Sequence, residues 1–145
     1  GRHTLAVDEI RKQCRLTSES GMQGVSIFGE SAPFHTNAEF NYLALEYFAD
    51  QPLDSLQSFA EKVMAPLLGG SASMAEKYLE FGNLNKHPDK IPAAVREIAR
   101  IIPAIKNDDA LRRWYYLSSF LNSFYWESTH SCAENAAQKV NLEKL

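Results

Sequence analysis

Apolar residues recur along this chain at spacings of three and four, and the period shortens once, near the N-terminus. Residues 4–19 read as a helix, with Thr4 as cap, Asp8 and Glu9 near its positive end, and Ile10 and Cys14 on one face. Ser20-Gly21 supplies its stop. The stretch Gly24-Val-Ser-Ile-Phe-Gly29 is short, β-branched and aromatic, which predicts a strand. A loop containing Pro33 follows, and Asn37 is a candidate N-cap for a helix over 38–49. That helix carries Phe40, Tyr42, Leu43, Leu45, Tyr47 and Phe48 on more than one face, so it should be buried on two sides.

Beyond Gln51-Pro52 the pattern is purely helical. Asp54 or Ser55 caps a helix over 55–68 with Leu56, Phe59, Val63 and Leu67 in its stripe, and Pro66 should kink or end it. Gly69-Gly70 breaks the chain before a helix over 72–81, and Gly82 ends that one. Pro92 suits the first turn of a helix over 90–102, which Pro103 bends or ends. Asp108 caps the longest stripe, over 109–129, and residues 131–145 make a final helix with Ala133, Ala137 and Val140 inward. The expected fold is mainly α: a bundle of about seven helices plus one short strand. The short loops make helices from 55 onward antiparallel neighbours.

A single strand is an anomaly, because its backbone N–H and C=O groups need partners on both sides. The nearly apolar character of 24–29 fits a strand covered on both faces, as in a parallel sheet. Helix, turn, strand, loop, helix is one unit of an alternating α/β fold, so the simplest account places the other strands upstream.

Charge and cysteine content narrow the partners. The net charge is −3 with scattered basic residues, which speaks against nucleic acid. No apolar run reaches the length of a membrane span. Cys14 and Cys132 have no metal-type spacing, so no metal or other cofactor is implied; two buried thiols are preferred to a disulfide, which stays open.

The segment Ser20-Gly-Met-Gln-Gly-Val-Ser-Ile-Phe-Gly-Glu30 resembles the last strand of a (β/α)8 barrel in glycoside hydrolases, and Asn37-Ala-Glu-Phe-Asn-Tyr-Leu-Ala-Leu-Glu-Tyr-Phe-Ala-Asp50 resembles the helix after it. Asp54-Ser-Leu-Gln-Ser-Phe-Ala60 and Pro66-Leu-Leu-Gly-Gly70 continue the likeness, which covers roughly residues 5 to 85. The resemblance implies a barrel end over 1–52 and a helical C-terminal domain over 53–145. It implies a parent enzyme acting on hexosaminides or uronic acids. The rest of the barrel and its paired acids are absent from this chain. Active sites of such barrels lie at the C-terminal ends of the strands. That makes Glu30, His35 and Asn37 the candidate substrate-binding residues, set against plain loop and helix-end roles. Glycoside hydrolysis needs two carboxylates about 5 to 10 Å apart, and only Glu30 is so placed. No catalytic residue is therefore assigned, and the chain alone should not hydrolyse. The expected partners are the remaining barrel, a second copy docking through apolar surface left on the 38–49 helix, and a carbohydrate ligand.

Trp114, Tyr115, Tyr116, Tyr125 and Trp126 could stack on sugars, but helical spacing makes them core first. Tyr116 and Trp126 fall off the main stripe and are the ones expected at the surface. His130 and Cys132, two apart on a helix, point in different directions and form no ligand pair. The competing readings are a stand-alone helical protein-interaction domain and a helical enzyme of another kind.

Overall fold

A computed structural model describes residues 4–26 and 35–142, with side chains as far as His130. Among the described residues the chain is helical, with six helices and no strand. Helix α1 is Val7–Glu19 and α2 is Thr36–Asp50. Helix α3 covers 56–68, α4 is Ala72–Gly82, α5 is Ile91–Ile101, and α6 is Asp108–Leu142. The expected strand is not seen: Gly24, Val25 and Ser26 carry no regular structure, and the rest of that stretch, with Glu30, lies outside the described residues.

Two helices expected to be separate are one. Helix α6 runs 35 residues without a break. No glycine or proline occurs between 108 and 142, so nothing in the backbone stops the hydrogen-bond ladder, and seven helices become six.

Pro66 neither ends nor splits α3. Proline cannot donate a backbone hydrogen bond, and its ring crowds the carbonyl four residues back. The helix widens just ahead of it: Ala60–Met64 forms a π segment, and the Ala65 N–H bonds Ala60 five residues back. That one-residue bulge lets the α-helix resume over Ala65–Leu68. Gly69 (φ +119°) and Gly70 (φ +89°) then end it in a left-handed turn, with the Gly70 N–H closing on the Ala65 carbonyl.

Helices α1 and α2 run parallel. Asn41, in the second turn of α2, accepts from the Ala6 N–H (2.8 Å) and donates to the Thr4 carbonyl (3.0 Å) just before α1 begins. At the other end Cys14, Thr17 and Ser18 of α1 share a cleft with Ala49, Pro52, Gly24 and Val25. Helices α2 and α3 run in opposite directions. Asp54, ahead of α3, meets Tyr47 late in α2, whereas Leu67 near the end of α3 meets the bridge from Glu39 at the start of α2. Helices α4 and α5 cross-link through Lys77 and Glu97.

One core joins all six helices, from Leu5 to Leu121. Phe40 packs edge-on against Tyr78, and Tyr78 against Trp114, with centroids 5.2 Å apart in both pairs. Phe48 and Phe59 close the opposite end at 5.3 Å. Of the apolar groups on α2, Phe40, Ala44 and Phe48 are fully buried within the chain, Leu43, Leu45 and Tyr47 are half-buried, and Tyr42 is exposed.

Gly82 sets how closely α4 meets the N-terminal segment. A Cβ there would lie 2.6 Å from Leu5 Cδ2 and 3.3 Å from Leu5 Cβ, so Leu5 must swing its Cδ2 aside and its backbone must still give slightly. Gly82→Ala should gain about 1 kcal/mol of helix propensity and lose about 1–3 kcal/mol to overpacking. Urea denaturation should show net destabilisation that Leu5→Ala partly relieves in the double variant.

Candidate functional site

The loop end that carries the candidate residues is built by the start of α2. His35, in an extended conformation, caps the helix: its Nδ1 accepts from the Ala38 N–H at 3.1 Å. This is the role that sequence reading gave to Asn37. Asn37 instead lies inside the first turn and is fully buried. The His35 ring also stacks on Tyr116 of α6 (5.8 Å, interplanar angle 6°), and Tyr116 stacks on Phe120 (6.4 Å, 9°). Tyr116 is therefore half-buried behind His35, where open exposure was expected. Trp126 is exposed as expected and stacks on His130 at 3.5 Å.

Beside this stack, Arg113 of α6 ties three elements together. Its guanidinium grips Glu39 of α2 through two nitrogens, Nε at 3.0 Å, and reaches the Leu67 carbonyl at 3.4 Å. Trp114 Nε1 donates to the Leu68 carbonyl at 3.1 Å. Carbonyls in the last turn of a helix have no partner within it, so α6 satisfies two at the end of α3. The hydrogen bonds that Arg113 donates to the Glu39 carboxylate hold its guanidinium still further above its usual range, so it stays charged at every working pH.

These contacts place His35, Asn37, Glu39, Tyr116 and Arg113 at one end of the molecule. Glu30 lies outside the described residues. The His35 Nδ1 is committed to capping, which requires the proton on Nε2. His35→Ala should cost about 1–2 kcal/mol from the lost cap and stack. His35→Asp restores the capping acceptor at a helix N-terminus and should recover roughly half of that in thermal unfolding. If both variants lose the same amount, the cap contributes nothing.

A second polar cluster sits at the far end of α2. The Tyr47 hydroxyl donates to Asp54, Lys62 Nζ is 3.1 Å from the same carboxylate, and Lys62 lies 5.8 Å from the Tyr47 ring centroid. Each shift moves the group's pKa further from pH 7. Desolvation and the Asp54 contact raise the Tyr47 phenol, the Tyr47 hydroxyl and then Lys62 lower the Asp54 carboxyl, and Tyr47 and Asp54 raise Lys62. General acid–base work needs a pKa near the operating pH, so this cluster is a structural tie. With its folded pKa depressed, Asp54 contributes stability above the ordinary carboxylate range and loses it as pH falls through the folded value.

Among the described residues no three His, Cys, Asp or Glu side chains come close enough to hold a metal ion, and no helix is long and apolar enough to cross a membrane. Cys14 is buried and free, and burial pushes its thiol up. No protein-family model, no curated protein and no solved structure matches the chain.

Proposed function

We propose that this chain is the C-terminal part of a (β/α)8-barrel glycoside hydrolase, non-catalytic by itself, closing the barrel over residues 1–52 and bracing it with helices over 53–145. The observation that carries this reading is the parallel course of α1 and α2. Consecutive helices joined by a short loop run antiparallel; parallel neighbours need a connection that travels back along the pair. Gly24 and Val25 lie at the C-terminal end of α2 and His35 at its start. Helix, returning strand, parallel helix is the repeating unit of an α/β barrel.

On that reading the resemblance makes Glu30, His35 and Asn37 the residues nearest the sugar-binding end. Glu30 contacts the ligand, while His35 and Asn37 shape the loop through cap and core. The bridge from Arg113 to Glu39 and Leu67 holds the helical domain against this end. The test compares the chain alone with the same chain extended by about 200 upstream residues on a panel of aryl glycosides. The extended protein hydrolyses one of them and the chain alone none. Hydrolysis by the chain alone, or an upstream reading frame without alternating strands and helices, contradicts the proposal.

The continuous core from Leu5 to Leu121, with Phe40, Ala44 and Phe48 of α2 buried in it, favours a second reading, a stand-alone helical interaction domain. The same extension separates the two: a self-contained domain keeps its unfolding transition unchanged when upstream residues are added, whereas a barrel end unfolds together with the barrel.

A further inference from the structure

A cleft of about 810 Å³ lies between the C-terminal half of α2 and the middle of α3, and the proposed barrel end does not use it. Leu43, the Tyr47 ring and Val63 form its apolar side, and Glu46 and Asp50 stand exposed on its rim. Those two carboxylates are one helical turn apart, where like charges repel. Asp50 also ends α2, whose last carbonyls carry partial negative charge and whose last turn holds no basic residue. The neighbouring cation, Lys62, is engaged with Asp54 and Tyr47. Among the described residues neither Glu46 nor Asp50 has an ion-pair partner. Two like charges thus stand side by side on the rim of an apolar cleft, with no cation of the described residues paired to them.

We propose that this cleft docks a basic amphipathic helix of another protein. The trough between two antiparallel helices is a shape that a third helix fills, with an apolar side chain as anchor. Leu43, Tyr47 and Val63 receive that anchor. Lysine or arginine residues four apart on the docked helix match the one-turn spacing of Glu46 and Asp50. Charge complementarity sets the orientation and speeds encounter. This inference is independent of the barrel reading, since it uses the end of α2 opposite His35.

The test uses the full chain and a fluorescein-labelled amphipathic helical peptide with a leucine face flanked by lysines four apart. Fluorescence anisotropy should show saturable binding that weakens as salt rises. Glu46→Lys and Asp50→Lys should each weaken it by about tenfold, the factor that corresponds to loss of one good charge pair. Asp50→Lys should also raise the melting temperature by about 2 °C, because a cation complements the helix end. That rise shows the variant is folded, so its loss of binding reports the site. Equal binding by a glutamate-flanked peptide, or by polylysine without the leucine face, would overturn the proposal. So would unchanged affinity in both charge reversals, a lowered melting temperature in Asp50→Lys, or a concentration-dependent oligomer that Glu46→Lys dissolves, which would place a second copy in the cleft.

Discussion

Trp114→Ala should destabilise the fold by about 3–5 kcal/mol, the range for removing a large aromatic side chain from a packed core. Trp114 is fully buried, meets Tyr78 edge-on, and its indole N–H holds the Leu68 carbonyl at the end of α3. A domain of this size has about 5–15 kcal/mol in total, so the variant should stand near its unfolding midpoint. Urea denaturation followed by far-ultraviolet circular dichroism measures this directly. Trp114→Phe separates packing from hydrogen bonding: it keeps most of the volume, strands the Leu68 carbonyl, and should cost about 1–2 kcal/mol. If Trp114→Ala lies within 1 kcal/mol of the parent, α6 is not the centre of the core.

Glu39→Ala should be the second most damaging change, and more damaging than Arg113→Met. The Arg113 side chain is 7% exposed and that of Glu39 34%. Removing Glu39 leaves a buried guanidinium that cannot deprotonate, with the Leu67 carbonyl as the remaining hydrogen-bond acceptor for that side chain among the described residues. Losing one partner of a buried pair costs about 3–5 kcal/mol; because water already reaches Glu39, about 2–3 kcal/mol is expected here. Arg113→Met replaces the charge with an apolar chain of related shape and lets Glu39 turn to water, for about 1–2 kcal/mol. The double variant should cost less than the sum, and additive losses would mean that the two side chains do not interact.

The helical outline was legible because glycine and proline mark it. Gly21, Pro52, Gly69-Gly70 and Pro103 each sit at or near a break between helices. Reading failed where local propensity is weak. The run Ser128-Thr-His-Ser131 looks like an end, yet without glycine or proline α6 continues through it. Pro66 looks like a stop, yet a π segment absorbs it. The ties that position the candidate site were hidden for a different reason. Glu39 and Arg113 are 74 residues apart, as are no local signals of pairing. His35 as a cap is visible only in geometry, since imidazole is an uncommon choice beside asparagine or serine. The two helices of the N-terminal unit were readable from 4–49 alone, and their parallel course is the feature on which the proposed function rests.

Relaxation enhancement from a spin label tests that feature most directly. A nitroxide on Ser18→Cys, with Cys14 and Cys132 replaced by alanine, reports which end of α2 lies beside the end of α1. Parallel helices predict broadening of the Ala49 and Gln51 amides and sharp signals from Ala38 and Glu39. The opposite pattern would make α1 and α2 an ordinary antiparallel hairpin and remove the ground for a barrel unit.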